Sequence, residues 1–151
     1  MKAPSPKTPQ INPKVARYRL RIGNSSLHGH GVFALEDIPR NRRVIEYTGR
    51  RLTLQQTCKI RPPKDIYIAG LNSRWCVDAR SGGSGSQFVN HSCNPNLMWR
   101  CIRGRLFFFS RRKIRAGEEL TVSYRYPVKL QRIICRCGAR RCRGTVRFIL
   151  T

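Results

Sequence analysis

The sequence predicts a mainly β fold. Three observations point there. Short runs in which apolar residues alternate with polar or basic ones recur along most of the chain. Clusters of Gly, Asn, Pro and Ser separate them at short intervals, as turns separate strands. Helix signals are confined to residues 52–64 and to a short piece after the Gly/Ser-rich stretch 81–86. At 151 residues with 40% apolar content, the chain reads as one domain able to bury a modest core.

Taken in order, residues 1–16 hold four prolines and three lysines with little apolar material, and read as a flexible basic arm. Tyr18–Ile22 alternates apolar and basic residues, as a half-buried strand does, and Asn24-Ser25-Ser26 is a turn. Gly29-His30-Gly31 can bend tightly and let the backbone approach a ligand, although a plain turn between strands is the commoner cause of such a pair. His28 and His30 have no third ligand nearby and read as surface residues. Arg43–Gly49 is a strand closed by glycine. A helix starts at Thr53 and stops before Pro62-Pro63. Ile66–Ile68 and Trp75–Asp78 form a strand pair across Gly70–Ser73. Leu97–Cys101 and Arg105–Ser110 form a hairpin around Arg103-Gly104, with Phe107-Phe108-Phe109 as core. Ile114–Gly117 is a turn and Leu120–Tyr126 a strand.

The charge is far from balanced: 31 Lys and Arg face seven Asp and Glu, a formal +24. Such a field attracts polyanions, so DNA or RNA contact is one expectation and mere solubility the other. No apolar run approaches the roughly 20 residues of a membrane span. The first residues lack an apolar core of the kind that directs export. The seven cysteines are odd in number, and Cys135, Cys137 and Cys142 stand at metal-ligand spacing. That favours a reducing intracellular compartment over a secreted disulfide scaffold.

Three stretches carry chemistry. Phe88-Val89-Asn90-His91-Ser92-Cys93-Asn94-Pro95-Asn96 packs an aromatic, an Asn-His pair, a thiol and an Asn-Pro turn together. Glu119-Leu120-Thr121-Val122-Ser123-Tyr124 follows later, and Cys135-x-Cys137-x4-Cys142-x-Gly144 closes the described pattern. With Gly29–Ala34, Glu46-Tyr47-Thr48-Gly49 and Asp78-Ala79, and in this order, they resemble the SET-domain family of protein-lysine methyltransferases with its post-SET zinc segment. The likeness runs from about Tyr18 to Gly144.

The resemblance implies a fold of small curved sheets with a threaded, knot-like C-terminal segment and a post-SET zinc clasp. On that reading residues 17–127 are the SET domain and 128–151 the zinc-binding segment. It implies transfer of a methyl group from S-adenosylmethionine to a lysine of a basic protein associated with nucleic acid, such as a histone, in a nucleus or nucleoid. The alternative is an inactive, zinc-stabilised module that binds nucleic acid or a lysine-bearing tail. The implied catalytic residues are Tyr124, whose hydroxyl would orient the amine, and Tyr47, which would line the lysine channel. Gly29, His30, Gly31, Tyr67, Gln87, Phe88, Asn90 and His91 would hold the cofactor. Cys93, Cys135, Cys137 and Cys142 would bind one zinc, pinning the tail over the cofactor, while Cys58, Cys76 and Cys101 read as packed thiols. Departures from the family pattern are Gln87 in place of Arg, Ser84 in place of Asn, and Ser123 in place of Asp. Val122 stands where the family places Phe or Tyr to limit the number of methyls added.

Overall fold

A computed structural model describes residues 9–60, 67–124 and 133–146. They form ten short strands in three sheets, one short helix and one 3-10 turn. β1 (Leu20–Asn24) and β2 (His30–Ala34) are an antiparallel pair. β3 (Arg43–Tyr47) leads to β4 (Arg50–Thr53), then to α1 (Leu54–Cys58), β5 (Ile68–Gly70) and β6 (Trp75–Asp78). The 3-10 turn Ser86–Phe88 precedes β7 (Asn90–His91), the hairpin β8 (Leu97–Ile102) and β9 (Arg105–Ser110), and finally β10 (Glu119–Val122).

Apolar alternation explains which faces meet. Val32, Ile38, Val44, Ile45, Leu97, Phe108, Ile114 and Leu120 are all fully buried and form one core between the sheets. Phe107 and Phe108 are buried, whereas Phe109 is only half-buried and lies under the guanidinium of Arg100.

The strand that organises the site is β10. It lies between β2 and β7, antiparallel to the first and parallel to the second, with Leu120 opposite Val32 and Thr121 opposite Asn90. The buried side chain of Asn96 helps to fix it: Asn96 Nδ2 donates to the Glu119 carbonyl at 2.8 Å and Oδ1 accepts from the Thr121 N–H at 2.8 Å. The loop after His91 is thereby tied to the strand that ends near Tyr124. The expected chain threading beyond β10 falls on residues 125–132, which lie outside the described residues.

Several expectations shift. Residues 9–16 do not behave as a free arm. Asn12 N–H donates to the Ser84 carbonyl at 2.8 Å, Glu46 N–H donates to the Val15 carbonyl at 3.1 Å, and Ala16 bridges Ile45. Ile11, Val15 and Ala16 supply enough apolar contact to hold this piece against the core, and only residues 1–8 of the expected arm lie outside the description. The first strand starts at Leu20 rather than Tyr18. The helix does begin at the Thr53 cap, with Gln56 completing a capping box, yet it ends at Cys58, and Leu52 belongs to β4. β7 was not expected, because two residues are too few to show a period. Of the three cysteines read as packed, Cys76 is buried but Cys58 and Cys101 are exposed.

Candidate active site and cysteine cluster

Three neighbouring arrangements make up the site. The first is a nest of groups around Asn90. Its Nδ2 faces the carbonyls of His28 at 3.1 Å and His30 at 2.9 Å, and Glu119 Oε1 at 2.9 Å. Glu119 Oε1 also accepts from Ser25 Oγ at 2.7 Å. A Cβ at residue 31 would come within 2.4 Å of that carboxylate, so the pinned Glu119 requires glycine there. At Gly29, by contrast, φ is +47° and no atom lies within 4 Å of where a Cβ would point, so this turn borders open space.

Beside this nest the His30 and Phe88 rings meet edge to face at 5.6 Å, and the Phe88 and Tyr67 rings at 5.5 Å. His30, Tyr67, Phe88 and Asn90 are therefore brought together beside the Gly29–Gly31 turn, whereas the His91 side chain, one residue on, faces Tyr124 and Cys93. Gln87 belongs to a different wall: its Oε1 accepts from Gly85 N–H at 2.8 Å, and it borders the cavity described next. The serine at 84 takes on a bracing role, donating from Oγ to the Glu46 carbonyl at 2.6 Å and sharing a 2.7 Å hydrogen bond with Ser86 Oγ, fully buried.

The second arrangement is a narrow cavity of about 30 Å³ walled by Tyr47, Gln87, Val89, Trp99, Phe108 and Tyr124 among others. Tyr124 Oη donates to the Val89 carbonyl at 2.7 Å, which fixes the ring across the cavity. The Tyr47 ring lies 5.5 Å from Trp99 and 6.1 Å from Phe108. Trp99 was not anticipated. Its indole N–H donates to the Ser123 carbonyl at 3.0 Å, so it supports the residue next to Tyr124 while its face forms wall. Its place at the second inward position of β8 was the only sequence signal for it. Val122, although fully buried, is not part of this wall.

The third arrangement is the cysteine cluster. The sulfurs of Cys93, Cys135, Cys137 and Cys142 all lie within 4.8 Å of one another. Cys93 Sγ is 3.7 Å from that of Cys135 and 4.0 Å from that of Cys142. A disulfide needs about 2.05 Å, whereas a tetrahedral zinc with bonds of about 2.3 Å sets its sulfurs about 3.8 Å apart. The four residues fit zinc. Backbone N–H groups also point at the sulfurs, from Cys93 to Cys137 at 3.3 Å, Arg143 to Cys93 at 3.5 Å, and Gly144 to Cys142 at 3.4 Å. Such donors favour thiolate over thiol. Burial pushes Cys135 up to about 12. At Cys137 burial also pushes upward, but the N–H groups of Cys93 and Ala139 and the neighbouring thiols outweigh it and bring the group down to about 6.

His91 joins the second and third arrangements. Burial, reinforced by the positive charge of Arg143, lowers it to about 4, so it is neutral near pH 7. Its Nδ1 accepts from the Tyr124 N–H at 2.8 Å, and its Nε2 lies 3.5 Å from Cys93 Sγ.

The comparisons with known proteins agree with this geometry. The SET domain family model matches residues 29–125. A Schizosaccharomyces pombe histone-lysine N-methyltransferase, H3 lysine-4 specific, is 36% identical over 142 residues, covering 87% of this chain and 15% of that protein. The Caenorhabditis elegans histone-lysine N-methyltransferase set-2 is 31% identical, over 87% of this chain and 9% of its own length. The chain thus spans less than a sixth of these relatives. Among solved structures, KRYPTONITE in complex with mCHH DNA, an H3(1-15) peptide and SAH superposes with a TM-score of 0.73 at 29% identity, over 90% of this chain and 31% of that one. The methyltransferase domain of human SETMAR gives 0.75 at 26% identity, over 92% of this chain and 61% of that one. With a mainly β architecture, a matching family model over most of its length and a four-cysteine cluster beside the Asn-His strand, the chain belongs to the SET-domain family.

Proposed function

We propose that the protein is a protein-lysine N-methyltransferase that uses S-adenosylmethionine and acts on a histone or a similarly basic chromatin protein. The observation that carries this reading is the meeting of Tyr47, Trp99 and Tyr124 around a narrow cavity next to the Asn90 nest. A lysine side chain is long, thin and largely apolar up to its nitrogen, and an aromatic slot suits that shape. The relatives' names as histone-lysine methyltransferases, and the SAH and H3 peptide in the KRYPTONITE complex, support both the co-substrate and the substrate class.

The residues fit the cofactor. The Gly29 turn opens to space, Asn90 is held rigid by three acceptors, and the Phe88 and Tyr67 rings offer an apolar edge. When bound there, S-adenosylmethionine supplies a methyl group on a positively charged sulfur. The protein's own part is to deliver a neutral amine in line with it. The cavity wall strips water from the lysine nitrogen, and the enzyme's positive field opposes a second cation; both lower the amine's proton affinity. Tyr124 Oη, fixed by its bond to Val89, orients the amine, and Tyr47 and Trp99 limit its sideways travel. Alignment of this kind is a large part of the available acceleration. Cys93, Cys135, Cys137 and Cys142 would hold a zinc as thiolates, and so held it would fasten the segment after Ile133 to the loop that follows the Asn90–His91 strand. A nuclear, chromatin-associated setting follows from the same substrate class.

Labelled-methyl transfer to histone H3 and to its lysine-free tail variant tests the proposal. Lysine-dependent labelling is expected. An enzyme that binds the cofactor and labels neither would leave the binding-module reading in its place.

A further inference from the structure

Two loops at one end of the β3–β9 pair carry an unusual density of cations. Arg40 and Arg42 lie on the first, which runs into Arg43 at the start of β3, and Arg111, Arg112, Lys113 and Arg115 lie on the second. All are exposed except Arg43, which is half-buried with its guanidinium over Phe107.

The loops are stitched together by their backbones. Asn41 N–H donates to the Ser110 carbonyl at 2.9 Å, Ser110 N–H donates to the Arg42 carbonyl at 2.9 Å, and Ile38 bridges Ile114 in both directions. The fully buried Ser110 hydroxyl donates to the Pro39 carbonyl at 2.6 Å and accepts from Arg42 N–H at 2.9 Å. The cations therefore stand on a rigid base.

The nearby acids are already committed. Glu36 pairs with Arg19, Asp37 with Lys113 and Glu118 with Arg112. Arg40, Arg42, Arg43, Arg111 and Arg115 have no ion-pair partner among the described residues. Arg115 is partly offset by the nearby carboxylates of Asp37 and Glu118, but Arg40, Arg42, Arg43 and Arg111 are not. Like charges on one fixed surface repel one another, and a chain of phosphates would relieve that repulsion.

We infer that this two-loop surface binds the phosphate backbone of nucleic acid and holds the enzyme next to a basic substrate already bound there. The second half of this statement rests on the methyltransferase reading; the first does not. The patch sits at the Arg43 end of β3 and the cavity at its Tyr47 end, about 13 Å apart along an extended strand. The two therefore lie at opposite ends of β3. The seat also answers an electrostatic difficulty, since a protein of net charge +24 and a basic tail repel at long range.

The test measures binding of a 20-base-pair DNA duplex and an equal RNA duplex by fluorescence anisotropy across a salt series. Wild type is compared with R40A/R42A/R111A/R115A and with a control of equal charge, K14A/R50A/K59A/R74A. The patch variant is expected to bind about 30-fold more weakly at 0.15 M salt, with its salt slope smaller by about three to four. The control should remain close to wild type, and lysine at the four patch positions should restore binding. Whichever duplex binds more tightly identifies the source of the phosphate. Equal losses in both variants, or no binding by wild type at 0.15 M salt, overturns the inference. Transfer to a free histone peptide should be unchanged in the patch variant. A wild type that binds nucleic acid through the patch but methylates no peptide refutes the methyltransferase reading and leaves the patch standing.

Discussion

The backbone N–H of Tyr124 donates to Nδ1 of His91 at 2.8 Å. A ring nitrogen that accepts is unprotonated, so the proton of this neutral imidazole sits on Nε2, which faces Cys93 Sγ at 3.5 Å. One side chain thus links the end of β10, from which the Tyr124 ring enters the cavity, to the cysteine cluster.

The first prediction follows directly. Nitrogen NMR of the labelled ring should show the Nε2–H tautomer at pH 7. His91→Ala should lower kcat about tenfold and make zinc easier to remove, since groups that orient metal ligands commonly matter on that scale. An Nδ1–H tautomer would contradict the account.

Metal analysis should find one zinc per chain, removable by strong chelators and lost in Cys135→Ser. Cys93→Ser should weaken zinc and reduce activity together, because Cys93 carries the metal's tie to the Asn90–His91 strand. A stable, active protein with no metal, or a disulfide between any two of the four residues, counts against the clasp.

These two features differ in how far the sequence disclosed them. The spacing of Cys135, Cys137 and Cys142 shows in the sequence because zinc ligands need close spacing, and the Thr53 cap and the β8–β9 hairpin show because their signals are local. The Asn90–Glu119 bond, the wedge of β10 between β2 and β7, and the anchoring of residues 9–16 depend on contacts between distant residues. No local period encodes those. Trp99 carries no signal beyond its place in the β8 strand, and only the geometry shows it bordering the cavity. Exposure of Cys58 and Cys101 was hidden for a similar reason, since a free cysteine carries no pattern of its own.

A pH prediction rests on Asp78, whose carboxylate is buried at the end of β6. Hydrogen bonds from the Arg80 side chain, at 2.9 and 2.8 Å, hold it below the ordinary aspartate range despite burial. The unfolded chain takes up this proton at about pH 3.9. The stabilisation is therefore complete above that value and is lost as pH falls through the lower folded one. Asp78→Asn should cost about 2 kcal/mol at pH 7. Chemical denaturation should show that difference shrinking below about pH 4; a difference that grows in acid has the wrong sign.

Val122 lies fully buried on β10, and its carbonyl accepts from Ser92 N–H at 3.1 Å. The family likeness sets Phe or Tyr at this position; Val122 lies outside the cavity wall and offers no hydroxyl that could reach in to restrict it, so the protein is expected to proceed past monomethyllysine. Mass spectrometry of a time course reads this directly. Val122→Tyr should slow the second addition more than the first, whereas a wild-type product confined to one methyl contradicts the expectation.

The central claim is that Tyr124 presents a lysine amine for methyl transfer. The most direct measurement pairs labelled-methyl transfer to histone H3 with calorimetric binding of S-adenosylmethionine, for wild type and for Tyr124→Phe. The substitution removes the oxygen that bonds Val89 but keeps the ring against His91, 5.4 Å between centroids. The account predicts lysine-dependent transfer by wild type, a fall of at least about a hundredfold in Tyr124→Phe, and cofactor affinity within about threefold of wild type. Full transfer by Tyr124→Phe, or cofactor binding without any transfer by wild type, contradicts it.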